Sequence, residues 1–245
     1  MTVSRVINRN PRVAPESRDR VEAAIAELGY RGNAAARVLA GARSHVLGVI
    51  SVQPAAWGPS RTVFAIEAAA QAAGQLVTFR TVREPSVHAM RRAFDDLRAA
   101  HADGVIVVAR LGASLDALAA VDADIPVVVT HPTQRVPLAV GIDQEYGARL
   151  ATRHLLELGH ATVVHVRGPK GWIDADARAL GWRNELRSAK RTGRQLTGDW
   201  TPSSGYAIGQ QLAGDPDVTG VFVANDQMAL GVLLALDEAW FDRQQ

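Results

Sequence analysis

Few residues in this 245-residue chain are placed to do chemistry. Asp143, Asn225 and Asp226 each follow an apolar run. There a carboxylate or amide could serve catalysis, hydrogen-bond the hydroxyls of a ligand, or cap the helix that follows. His160 and His165 lie five apart across another run, hence on opposite faces of a strand, so they read as structural or surface residues rather than a shared metal site. Trp57, Trp172 and Trp200 fall in predicted loops or at loop edges. An indole there is either a flat platform for a sugar ring or base, or a cover over the edge of a core. Trp182, inside an amphipathic stretch, reads as core. No G-x-G-x-x-G follows the first apolar run, RGPKGW is not a phosphate loop, and G-x-S-x-G is absent. With no cysteine there is no thiolate ligand or nucleophile either. Neither enzymatic activity nor a cofactor or metal is expected.

The elements that position these residues form a regular series from Val46 onward. Short β-branched runs at 46–51, 76–82, 104–108, 126–130, 138–142, 162–166 and 220–224 read as strands. Amphipathic stretches at 60–73, 86–100, 113–121, 144–158, 174–190, 203–213 and 227–239 read as helices between them. Such alternation, with nearly continuous apolar strands, specifies an α/β fold of parallel sheets covered on both faces. The number of units suggests two doubly wound lobes dividing near Gly141–Asp143, with ligand bound beyond the carboxyl ends of the strands and between the lobes.

The first 45 residues differ. They hold eight Arg against four acidic residues (Glu16, Asp19, Glu22 and Glu27), a net charge of +4 within a chain whose total is +2, so the remainder is mildly acidic. A basic head on an acidic body points the head at a polyanion. Thr2–Asn8 is a short helix presenting Thr2, Ser4, Arg5 and Asn8, side chains suited to base edges and phosphates. Pro15 opens a second helix with Val21, Ala24, Ile25 and Leu28 at helical spacing, and Gly29 stops it. Asn33 caps a third, Ala-rich helix over 33–41 that carries Leu39, an apolar side chain able to wedge between base steps. No run approaches the ~18–20 apolar residues of a membrane span. A cytoplasmic protein without membrane contact is expected.

At this point the order of motifs resembles the lactose/galactose-repressor (LacI) family. TVSRVINRNPRVAPESRDRVEAAIAELGYRGNAAARVLAGARSHVLGVI is similar to its recognition helix, last headpiece helix, hinge helix and first core strand. The resemblance continues through DQEYGARLATRHLLELGH, GPKGWIDADARALGW, GDWTPSSGY and VFVANDQMALGVLLAL, and so covers the chain. It implies an allosteric transcriptional repressor, a homodimer binding double-stranded operator DNA, controlled by a small molecule of the sugar class. The implied organisation is a partial helix-turn-helix headpiece over 1–45 with the hinge helix at 33–41. Two periplasmic-binding-protein-like lobes follow, over 46–143 and 144–245. Carried over by position, Thr2, Ser4, Arg5 and Asn8 contact DNA, Ser17, Tyr30 and Asn33 hold phosphates or cap the hinge, and Leu39 is the minor-groove wedge. Pro59, Ser60, His131, Asp174, Arg178, Trp200 and Asn225 fall at effector positions, with His131 where a family member has aspartate. Ala14 stands where a capping Ser is common. Relative to the family pattern the chain reads as truncated at both ends, with an incomplete second lobe. A sugar-binding module of the same core fold without DNA function is the alternative, and residues 1–45 argue against it.

Overall fold

A computed structural model describes residues 2–7, 11–30, 43–52, 57–131 and 138–242. Asn8, Asn33, Leu39 and the 33–41 helix lie outside the described residues. The chain divides into two compact units, Met1–His45 and Val46–Gln245.

The first unit contains α1 (Thr2–Ile7) and α2 (Pro15–Glu27). Pro15 sits in the first turn of α2, where its missing N–H costs nothing, and the cap residue Ala14 offers no side-chain bond. Gly29, at φ +56°, ends the helix, and the Tyr30 N–H folds back to Ile25 O at 3.0 Å.

The second unit holds two parallel sheets. Strands β1 (Val46–Val52), β2 (Leu76–Val82), β3 (Gly104–Val108) and β4 (Val127–Val129) form the first, in the order β2-β1-β3-β4. Strands β5 (Val164–Arg167), β6 (Gln195–Thr197) and β7 (Val221–Val223) form the second, in the order β6-β5-β7. The connecting helices are α3 (Trp57–Ala72), α4 (Val87–Ala99), α5 (Gly112–Ala119), α6 (Gln144–Glu157), α7 (Ile173–Ser188), α8 (Pro202–Ala213) and α9 (Asp226–Asp242). Among the described residues no helix is long and apolar enough to cross a membrane.

Each sheet has its own core. Ile50, Val105 and Val107 pack with Met90, Phe94 and Leu97 of α4 in the first. In the second, Val164 and Val166 pack with Ile208, Leu212, Met228 and Val232 of α8 and α9. The latter two helices meet closely because Gly205 faces the backbone of Met228, where a Cβ would have no room.

Two strand expectations change. Residues 138–142 form no strand: Ala139 makes a single bridge to Val129, and Leu138, Val140 and Ile142 stay exposed. The segment touches the sheet edge for one bridge and leaves, so its apolar residues find no second layer to pack on. Conversely, β6 went unread because Gln195–Thr197 has one apolar residue, Leu196, and pairs only along β5.

Trp182 is core as expected, 4% exposed, with its indole N–H donating to Val163 O at 2.9 Å. His165 is fully buried, stacked on Phe222 with ring centroids 4.6 Å apart, and its Nδ1 lies 3.0 Å from the Phe222 carbonyl oxygen. That contact calls for the Nδ1–H tautomer, and Nε2 has no partner. Burial pushes the imidazole down to about 4; the Phe222 bond opposes this, while the charges of Arg167 and Arg178 add to it. The unfolded chain takes up the proton near 6.5, the native state only near 4. Stability is therefore fully present above pH 6.5 and falls as the pH drops through this window, by about 3 kcal/mol at most. Urea melts from pH 7 to pH 4.5 should show His165→Gln losing less stability on acidification than the unaltered protein. Parallel curves would contradict a buried neutral His165.

Candidate functional site

The carboxyl ends of the strands in both sheets open onto one cavity of about 1690 Å³. Doubly wound sheets place ligand sites there because the loops diverge where the strand order reverses. Arg83 follows β2 and Arg110 follows β3 on one wall. Trp172 precedes α7, Asp199 and Trp200 follow β6, and Asn225 follows β7 on the other.

The two walls meet at a short antiparallel junction. Leu111 bridges Trp172, the Ile173 N–H donates to Arg110 O at 2.9 Å, and the Gly112 N–H to Gly171 O at 3.3 Å. Above it Arg110 donates through Nη1 to Asp174 Oδ2 and approaches Thr62 Oγ1 at 3.4 Å. His131, beyond β4, brings Nδ1 to 3.3 Å from Asp174 Oδ1, an ion-pair distance without hydrogen-bond alignment. Burial alone would raise the Asp174 carboxyl, but His131, Arg110 and Arg178 together hold it below the ordinary carboxylate range. Arg178, one turn further along α7, donates from Nε to Gln144 Oε1 at 2.8 Å and from Nη1 to Ala224 O. Burial lowers its pKa, and the charge of Asp174 opposes this.

Trp200 is held from three sides. Its backbone takes φ +75°, and its indole lies on Gly168, where a Cβ would overlap the ring. Trp172 meets it edge-on at 5.5 Å and 66°. Asn225 Nδ2 donates to Trp200 O at 3.1 Å, while Asn225 Oδ1 caps α9 by accepting from the Met228 N–H at 3.1 Å. The preceding Asp199 accepts from the backbone N–H and hydroxyl of Thr201, and bonds from Thr201 and Ser204 pull its pKa down to about 2. Trp200 Nε1 is buried without a partner. The wall thus offers an aromatic corner bordered by amide and guanidinium groups, a surface that suits the flat apolar face and hydroxyl rim of a sugar-like ring.

Of the effector candidates, Pro59, Asp174, Arg178, Trp200 and Asn225 line this one cavity. Ser60 adjoins Pro59 without lining it, and His131, 8% exposed, sits against Asp174 rather than on the wall. Asp143 caps α6 by accepting from the Tyr146 N–H at 2.9 Å and also borders the cavity, so both roles weighed for it coexist. Sequence reasoning passed over Arg110. Its one signal was position, two residues past the end of a strand. Among the described residues no group of three or more His, Asp or Glu stands close enough to hold a metal.

On the head unit, Thr2, Ser4 and Arg5 are exposed on α1 while Val6 is 4% exposed. Ser17 and Tyr30 border a shallow depression of about 440 Å³ lined also by Val3, Val21, Ala24, Ile25 and Leu28.

Two parallel sheets sharing one cleft at their carboxyl ends form an α/β core that follows an Arg-bearing helical unit in the sequence. Comparison with known proteins agrees. Residues 61–244 match the periplasmic binding protein domain, and residues 1–33 match bacterial regulatory proteins of the lacI family. The lactose operon repressor of Escherichia coli (strain K12) is 35% identical over 243 residues, covering 97% of this chain and 67% of that protein. The HTH-type transcriptional regulator CelR of Thermobifida fusca is 32% identical over 256 residues, covering 96% of this chain and 72% of that one. Among solved structures, the lac repressor dimer bound to operator and the anti-inducer ONPF superposes with TM-score 0.85 at 33% identity, over 98% of this chain and 74% of that one. The CelR–cellobiose complex gives 0.66 at 29%, over 96% and 73%. The chain belongs to the lacI family of bacterial regulatory proteins.

Gly168→Ala tests the aromatic corner. The added Cβ displaces the Trp200 indole, destabilising the protein by about 1–3 kcal/mol and shifting tryptophan emission. Unchanged emission and melting temperature would contradict the contact.

Proposed function

We propose that the protein is a transcriptional repressor that binds operator DNA as a homodimer and changes its grip when a sugar or sugar derivative occupies the cleft. The observation that carries this reading is the single cleft in which Trp200, Arg178 and Asn225 converge, on a chain that begins with an exposed Arg-bearing helix. Residues 1–45 are the DNA-binding part with the hinge helix at 33–41, and 46–143 and 144–245 are the two lobes. Thr2, Ser4, Arg5 and Asn8 read base edges in the major groove; Ser17, Tyr30 and Asn33 position the backbone; Leu39 wedges into the minor groove. Trp200 stacks on the sugar ring, Arg178, Asn225 and Asp174 bond its hydroxyls, and Pro59 and Ser60 close over it from the first lobe. His131 acts through Asp174. The exposed Leu230, Leu233, Leu234, Trp240 and Phe241 of α9 support a subunit contact. Relatives named as regulators rather than enzymes support a non-catalytic role in the cytoplasm.

Effector and DNA prefer different lobe arrangements, so each changes the affinity of the other by the same factor, on the order of five- to 150-fold in allosteric proteins. Fluorescence anisotropy with DNA from the protein's own promoter, at moderate salt, should show binding that weakens as salt rises. Lactose or cellobiose should shift this affinity. Trp200→Ala should abolish the shift and leave DNA binding intact, whereas Arg5→Ala should weaken DNA binding and leave the sugar response of tryptophan emission. Promoter DNA bound no better than random DNA would contradict the repressor reading, and sugar binding without DNA binding would favour a plain sugar-binding module.

A further inference from the structure

Four arginines and four aspartates line the cavity, unevenly divided between its walls. Arg61 of α3, Arg83 beyond β2 and Arg110 beyond β3 stand on the first-sheet wall, which carries no acid among the described residues. The aspartates stand with Arg178 on the opposite side. Each of those acids is compensated where it sits. Asp143 caps α6, and Asp199 accepts from Thr201 at the start of α8. Asp174 and Asp226 lie in the first turns of α7 and α9, where the helix favours negative charge, and Asp174 also holds Arg110.

Arg83 is different. Arg83 and Thr81 are exposed, line the cavity and, among the described residues, make no side-chain hydrogen bond or ion pair. Arg80, three positions earlier, is paired with Asp96 at 3.0 Å, whereas Glu84, beside Arg83, does not line the cavity. Arg61 adds a second positive charge from the helix that joins β1 to β2. The strand order β2-β1-β3 sets Arg83 two strands, about 10 Å, from Arg110 and so apart from the Arg110–Asp174 pair. Across a solvent-accessible cleft, charges beyond about 8 Å are largely screened at physiological salt, so the groups in contact decide what binds on this wall. A guanidinium fork matches an oxyanion, gains less from a neutral hydroxyl and repels a cation.

We propose that Arg83, with Arg61 and Thr81, forms an anion subsite, so that the preferred effector is a sugar carrying a carboxylate or phosphate group. The ring lies on the Trp172–Trp200 corner and the charged group on the first-sheet wall. This rests on reading the cleft as the effector site. Arg83 supplies the fork, Thr81 a hydroxyl donor and Arg61 further positive charge. Neutral sugars share the aromatic corner, so the subsite sets the ranking of effectors rather than admission to the cleft.

Titration calorimetry decides it, with glucose and galactose as neutral probes, glucuronate and galacturonate as carboxylates, and glucose 6-phosphate and galactose 6-phosphate as phosphates. At low salt the better acidic class should bind about five- to tenfold tighter than its neutral parent, and the class that leads names the group. That advantage should shrink as salt rises. Arg83→Met should remove most of it, and Arg83→Lys, which keeps the charge but loses the fork, only part. A neutral parent bound as tightly as both acidic classes overturns the subsite, and so does an advantage that the folded Arg83→Met protein keeps. An advantage in the unaltered protein that salt leaves unchanged also overturns it, even if no variant folds. In each of these cases the cleft remains the effector site. Failure of every probe to bind overturns the subsite and the sugar reading together.

Discussion

The architecture depends on the junction where residues 110–112 meet residues 171–173. Each sheet is narrow and packs mainly its own helices, and Ile173, the first residue of α7, also packs against the first core at this junction. Two backbone hydrogen bonds and one antiparallel bridge join the sheets at their carboxyl ends, and the Arg110–Asp174 ion pair lies directly above. The ion pair is largely removed from water. Its attraction is stronger for that, and the penalty for losing one partner is greater.

Local chemistry then aims the cleft. Helices α3, α6, α7, α8 and α9 all begin at its border, so their free N–H groups and positive dipole ends favour oxygen-rich ligands. The residues that cap these helices also face the cavity: Asp143 caps α6, Thr201 caps α8 and Asn225 caps α9. A single side chain therefore ends a loop, starts a helix and presents polar atoms to a ligand. Trp200 shows the opposite arrangement. It sits at a positive φ that a bulky residue rarely adopts, held there by the absence of a Cβ on Gly168 and by the Asn225 amide. Strain of this sort, fixed by its surroundings, keeps a binding surface in place before the ligand arrives.

Much of this was readable from the sequence, and the gaps have physical causes. The alternation of β-branched runs with amphipathic stretches specified parallel sheets, and the family motifs located Trp200, Arg178 and Asn225, which do meet in one cavity. Residues 138–142 misled because an apolar run reads as a strand whether or not a neighbouring strand accepts it. Gln195–Thr197 was invisible because an edge strand with one apolar residue carries no pattern. Arg110 was missed because an arginine after a strand looks solvated until its partner, 64 positions away, is known. His131 falls at an effector position by the family motifs, and the carboxylate it faces comes from the first turn of α7, a pairing that no local pattern encodes.

The central claim is that cleft and head are thermodynamically coupled, and reciprocity tests it most directly. Effector affinity should be measured by titration calorimetry with the protein free and with it saturated by operator DNA, and operator affinity with and without saturating effector. The account predicts the same factor in both directions, because the two ratios belong to one thermodynamic cycle. An effector that binds the cleft with one affinity whether or not operator is bound would contradict it.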